Sequence, residues 1–168
     1  MKVSRTSILF MIVALVLLSA VPTSIRKIVQ TGDPYLFTKQ FFHDMLARLT
    51  GPGKLRFIVQ PTVAIILGAR HGAKDSHAQL RPFLSRLIFH ASHRWHAFKS
   101  AVADVRDLVA IAILLDIISQ ELIFHNIHPG AALILGPVLI AIPYSLARDA
   151  ATRIIRARRP RATAAGSV

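Results

Sequence analysis

The sequence predicts an all-α protein, a transmembrane helix bundle of about four spans with one or two amphipathic helices at the interface. Three observations carry this. Of 168 residues, 53% are hydrophobic, and the mean hydropathy of +0.50 lies well above that of soluble domains. The apolar residues gather into four stretches, 8–21, 55–69, 108–124 and 131–147, each close to or below the about 20 residues a helix needs to cross a bilayer. Charge is lopsided, with 21 basic against 8 acidic residues for a net +13. The basic residues flank the apolar stretches instead of forming one block, which points to a bilayer with anionic head groups as partner and away from nucleic acid. The chain has no cysteine, so it has neither disulfides nor thiolate metal sites.

Residues 1–25 read as an N-terminal membrane anchor. Lys2 and Arg5 before an apolar core also resemble a signal peptide, with Ala20 preceding a cleavage, but bulky Leu18 departs from the small-x-small pattern. An uncleaved anchor is therefore the expectation. Residues 26–54 form an external loop with an amphipathic helix, in which Phe37, Phe41, Met45 and Leu49 repeat every four residues beside Phe42 and Leu46. Lys39, Asp44 and Arg48 lie elsewhere on it. A Gly-Pro-Gly break at 51–53 precedes the second stretch.

Residues 55–147 form a three-span core. The second stretch is the shortest, with Arg56 snorkelling from its end, so it either spans or folds back as a re-entrant hairpin. A cytoplasmic basic loop, 70–107, holds a second amphipathic helix. Its apolar stripe is Leu84, Leu87, Ile88, Ala91, Trp95 and Phe98, and its membrane-surface basic face is Arg86, Arg94 and Lys99. In the fourth stretch Gly136-Pro137 and Pro143-Tyr144 predict kinks. Residues 148–168 form a basic tail. With both termini cytoplasmic, fifteen basic residues fall inside and five outside, with Arg56 at the boundary. That is the orientation the positive-inside rule favours.

Asp116 interrupts the third stretch, eight uncharged residues in from its start. A carboxylate at that depth is costly and marks a functional-site hypothesis. Residues four apart share a helix face, so Val109, Ala112, Asp116, Gln120 and Ile123 form one stripe with Ser119 at its edge. Ile111, Leu114, Leu115, Ile118 and Leu122 form an aliphatic one opposite. Gln60, Ala64, Gly68 and Gly72 recur every four residues in and just beyond the second stretch, the spacing that lets helix backbones approach. The expected seam joins the second and third spans through Gln60, Asp116, Ser119 and Gln120, with Tyr144 reaching toward it. Ala64, Gly68, Gly72, Ala112 and Gly136 serve helix packing. Asp116 is then a neutral hydrogen-bonding staple, a proton-relay or cation-coordinating group, or half of an ion pair with a partner subunit.

His90, His93 and His96 stand three apart, but basic residues crowd them and no carboxylate lies near. A solvated face is expected, with no metal and no cofactor. The glycine-containing GARHG turn at 68–72 is a weak phosphate-binding signal. No nucleophile elbow, phosphate loop, zinc-helix motif or paired carboxylates are found, so no catalytic residue is assigned.

The run LRFIVQPTVAIILGARHGAKD, then RPFLSRL, LLDIISQ and HPGAALILGPVLIAIPYSLARDAATRI, resembles a group of uncharacterised small multi-pass bacterial inner-membrane proteins. It covers roughly residues 50–156. The positions that carry the resemblance are Gln60, Pro61, Gly68, Arg70, Gly72, Asp75, Asp116, Gln120, Pro129, Pro143 and Tyr144. It implies an inner-membrane topology and adds no activity. The expectation is a non-enzymatic accessory or scaffold element with a membrane-protein partner or a second copy. The alternative is a small transporter or ion-conducting subunit using the polar seam.

Overall fold

The computed structural model describes residues 4–32, 35–51, 54–89 and 91–158, with backbone alone for Lys27, Thr31, Ala91, Ser92 and His93. Lys2, Pro52, Gly53, His90 and the tail beyond Arg158 lie outside the described residues. So do the His93 side chain and the Ala91 contribution to the predicted stripe. The described residues are all-α: α1 (Arg5–Thr31), α2 (Lys39–Thr50), α3 (Arg56–His77), α4 (Phe83–Phe89), α5 (Ala91–Phe124) and α6 (Pro129–Arg158), with no strand among them.

Two of these helices, α1 over Arg5–Gln30 and α6, are long and apolar enough to cross a membrane. The four spans expected from the sequence are thus two by this measure. The other two apolar stretches lie in helices interrupted by charge, α3 by Arg56 and Arg70 and α5 by Asp107, Asp116 and Glu121. Only 11% of the apolar window of α1 and 28% of that of α6 is buried. Neither helix is therefore wrapped by the rest of the chain as the core helix of a water-soluble domain would be.

The contacts divide the chain into two units, the first Met1–Pro61 with Val105–Ile140 and the second Thr62–Asp104 with Ala141–Val168. In the first unit α1 runs through Pro22 and past the predicted end of the anchor. It stops where Gly32 adopts φ 74° and its N–H reaches the Ile28 carbonyl. Glycine ends a helix cheaply in that left-handed conformation. Val13 packs with Ala110, Ile113, Ile117 and Ala132. Gly136 lies so close to α5 that a Cβ would stand 3.0 Å from the Ile113 backbone nitrogen.

Helix α2 forms as predicted over part of the external loop, but two of its charged residues turn inward with Phe41. Its N-cap Thr38 accepts a hydrogen bond from the Phe41 N–H, and the face turned inward is Phe41, Asp44 and Arg48. Phe42, Leu46 and Leu49 are exposed, and Phe37 stands outside the helix at φ 64°. The apolar periodicity is real, but the two charges find buried partners and so win the inner face.

Helix α3 is continuous from Arg56 to His77, which removes the re-entrant hairpin, and from Thr62 onward it belongs to the second unit. A Cβ at Gly68 would fall well inside contact of the Tyr144 carbonyl, and one at Gly72 inside contact of the Arg148 carbonyl. The small-residue stripe thus meets α6 and not the third span as expected, and the Thr152 hydroxyl donates to the Gly72 carbonyl at 3.0 Å. Gly72→Leu is expected to cost about 2 kcal/mol or more, because backbone opposite the new side chain cannot move aside. Thermal unfolding in detergent checks this, with the exposed Ala78→Leu as control; equal stability of the two would count against the close approach.

The predicted cytoplasmic amphipathic helix is two pieces. Helix α4 is a short helix whose Leu84 N–H donates to Asp149 Oδ1 at 2.9 Å, while the segment from Ala91 onward is the start of α5. Its stripe is not the buried one: Ile88, Trp95 and Phe98 are exposed, whereas Phe83 and Ala97 are buried. The predicted basic face is broken up as well. Arg86 turns inward, Arg94 donates to the Leu87 and Ile88 carbonyls at the end of α4, and Lys99 lies over the Trp95 ring.

Candidate functional site

Among the described residues each unit holds an ion-pair cluster, buried in the first and part-exposed at Asp104 in the second, and the two have the same make-up: two arginines, two aspartates and a tyrosine hydroxyl that bridges them.

In the first unit the centre is Asp116, 1% exposed. Its Oδ1 pairs with Nη1 of Arg56, and with Nη1 of Arg48 at 3.6 Å. Its Oδ2 accepts from Gln120 Nε2 at 2.6 Å. The Gln120 Oε1 in turn accepts the His128 backbone N–H at 2.7 Å. Arg48 Nη2 donates to the Tyr35 hydroxyl at 3.3 Å, and that hydroxyl donates to Asp44 Oδ2 at 2.7 Å. The circuit closes where the Tyr35 ring stacks on His128, centroids 3.6 Å apart. Burial, and then the Asp44 hydrogen bond, raise the ionisation of Tyr35 above its ordinary range, so the hydroxyl stays a neutral donor.

This arrangement replaces the lone, neutral staple expected at Asp116. The acid is paired within its own chain, by two cations on α2 and α3, and a partner subunit is not needed to balance it. Both carboxylate oxygens are engaged, which leaves little to coordinate a free cation. Arg48 and Arg56 were read from sequence as an outward residue and a snorkelling one; instead they are buried, with their guanidiniums over the Phe124 and Phe57 rings.

The other seam residues are placed as follows. Ser119 and Gln120 are buried beside Asp116 with Ala112, while Ile111, Leu115, Ile118 and Leu122 are exposed. Gln60 is buried but makes no hydrogen bond to Gln120; its amide has no partner among the described residues, and neither has the Ser119 hydroxyl. Tyr144 does not join this cluster, because its hydroxyl is committed elsewhere. Ala64 is fully buried.

That second cluster centres on Arg148. Its Nε and Nη2 grip Asp75 at 2.8 and 3.1 Å, a bidentate pair, and its Nη1 reaches Asp104 at 3.1 Å and the Tyr144 hydroxyl at 2.9 Å. Tyr144 donates to Asp104 at 3.1 Å, with His71 Nδ1 2.8 Å from the same hydroxyl. Arg86 adds a second cation on Asp75 at 2.7 Å, and Phe83 lies under the Arg148 guanidinium at 4.9 Å. Sequence reasoning missed Arg148, Asp104 and His71 as a group. The signal was present: Tyr144, Arg148 and Thr152 are four apart on α6, the same period as Gly68 and Gly72 on the helix they meet.

Both clusters are balanced, two guanidiniums against two carboxylates, and bind helices through charge-assisted hydrogen bonds. Among the described residues no three histidine or acidic side chains converge as metal ligands. No protein-family model, curated protein or solved structure matches this chain.

Proposed function

We propose that the protein is a multi-pass membrane protein with four spans, carried by α1, α3, α5 and α6. In this reading it is a non-enzymatic accessory or scaffold element of the bacterial inner membrane, with both termini cytoplasmic. The observation that carries the membrane reading is an inverted distribution of polarity. Arg48, Arg56, Gln60, Asp116 and Gln120 are buried, while Leu15, Leu18, Ile58, Ile66, Ile118, Leu122 and Ile142 are among the many large apolar side chains left exposed. A water-soluble monomer rarely leaves so many large apolar side chains exposed along its helices, whereas lipid is the solvent that accepts them. The charges that disqualify α3 and α5 by composition support the same reading, since Arg56 of one pairs with Asp116 of the other. Paired and hydrogen-bonded ions are the form in which charge is tolerated at membrane depth. The resemblance to inner-membrane proteins adds to the compartment, and the excess of inner basic residues to the orientation.

The scaffold role is supported by what the buried charges do: they are engaged in holding helices together. A transporter using Asp116 would need that carboxylate released from Arg48 and Arg56.

Because the chain has no cysteine, single substitutions test topology on a clean background. Lys54→Cys and Asn126→Cys are expected to react with a membrane-impermeant maleimide in spheroplasts, and Ala78→Cys and Ala157→Cys only after permeabilisation. The opposite pattern, or recovery of the protein in the soluble fraction, would overturn the reading. Co-purification of a stoichiometric membrane partner supports the scaffold; proteoliposome ion flux lost in Asp116→Leu would replace it with the transporter.

A further inference from the structure

The clusters leave unused a cavity of about 500 Å³ in the second unit. Gln79, Arg81, Arg86, His96 and Ser100 line it, and no carboxylate does. Arg86 is held from one side only: its Nη2 is fixed on Asp75, a carboxylate already gripped by Arg148. Its Nε is buried and without a hydrogen-bond partner among the described residues. A guanidinium anchored in this way keeps its orientation at the cavity wall.

The walls are also set by the fold. Helix α3 ends at His77 in a pair of reverse bonds, Leu80 N–H to the Asp75 carbonyl and Gln79 N–H to the Ser76 carbonyl. Gln79 occupies the left-handed position at φ 55° where glycine is the usual choice. The glutamine thereby keeps an amide at the cavity that glycine would lack. The Leu80 carbonyl receives Nη2 of Arg156, which brings a third guanidinium to the same edge.

We propose that this cavity binds a phosphate-bearing anion. Arg81 supplies the charge, and Arg86, Ser100, His96 and the Gln79 amide supply further donors. The number of donors decides the class of ligand. A carboxylate presents two oxygens, whereas a phosphoryl group presents three, and planar guanidiniums match its edges in pairs. A concave site with cations and no acid in its lining also concentrates anions. The phosphoryl group can belong to a soluble phosphate compound or to a lipid head group. The site stands whether or not the four-span topology holds, because it lies within the second unit and rests on its own lining.

Full-length protein in a neutral maltoside is titrated with inorganic phosphate by calorimetry. In parallel, protein from nanodiscs of phosphatidylcholine with and without phosphatidic acid is examined by native mass spectrometry for retained lipid. Saturable binding of at least one probe is expected. Arg81→Gln and Ser100→Ala should weaken it, the former about tenfold, and Ser100→Ala should do so at unchanged melting temperature. Arg106→Gln, an exposed arginine beside Asp107 in the first unit, should leave it unchanged. Binding of inorganic phosphate assigns a soluble phosphate compound, and retention of phosphatidic acid alone assigns a lipid head group. No saturable binding of either probe, or equal losses in Arg81→Gln and Arg106→Gln, would overturn the site.

Discussion

Asp116→Asn is expected to destabilise the first unit by about 3 kcal/mol or more, the usual scale for removing one member of a buried ion pair. The amide fits the space of the carboxylate, so packing is kept and the loss isolates charge. Arg48 and Arg56, with side chains 1% and 5% exposed, would be left with Asp44 as their remaining carboxylate. The reading of Asp116 as a neutral staple demands the reverse, since asparagine can donate and accept as well as a protonated acid. The double substitution Arg56→Met with Asp116→Leu should recover to within about 1–2 kcal/mol of the parent, because apolar residues of similar volume often replace a buried pair at little cost. Equilibrium unfolding in mixed micelles provides the measurement. An Asp116→Asn variant as stable as the parent would sink the ion-pair account.

Arg148→Met should cost the second unit about 3–5 kcal/mol. One guanidinium there serves Asp75, Asp104 and Tyr144 and stacks on Phe83, so its removal takes the bidentate partner from Asp75 and the guanidinium from Asp104. Arg86 still neutralises Asp75; nothing else within the cluster but His71 faces Asp104 with a titratable nitrogen, 3.6 Å away. Arg148→Lys keeps the charge but cannot bridge the same set of oxygens, and a smaller loss follows. Hydrogen exchange localises the effect: amides of Gly72 to His77 and of α4 should lose protection first in Arg148→Met. Protection unchanged there, with a loss spread evenly over the chain, would contradict the cluster.

The helical content was legible because its signal is local. Apolar runs, their basic flanks and period-four stripes are all written in neighbouring residues, and on α5 the division into a polar and an aliphatic side is visible in the sequence as Asp116 and Gln120 against Ile118 and Leu122. What sequence could not supply was the partner of each charge. Arg48 on α2 reads as solvent-facing because its neighbours Phe41, Met45 and Leu49 are apolar, and only the presence of Asp116 nearby turns it inward. The same non-local cause sends Gly68 and Gly72 to α6. Glycines at that spacing announce a close approach without naming the helix that makes it. Helix boundaries failed for a related reason, as α5 carries polar residues of a predicted surface segment and apolar residues of a predicted span in one unbroken run.

The pairing of Arg48 and Arg56 with Asp116 also sets an order of events during synthesis. Arg56 leaves the ribosome sixty residues ahead of Asp116. At elongation rates of about 5–20 residues per second that is an interval of about 3–12 s. Throughout it, the nascent chain carries two guanidiniums that no later segment yet neutralises, and Asp44 alone is at hand. If α3 spans the bilayer as proposed, it would linger near the head groups, where water and phosphate can solvate Arg56, until α5 is made. In the four-span membrane reading proposed above, delivery of the acid is the step that lets the earlier helix settle, and insertion would be governed from the C-terminal half backwards.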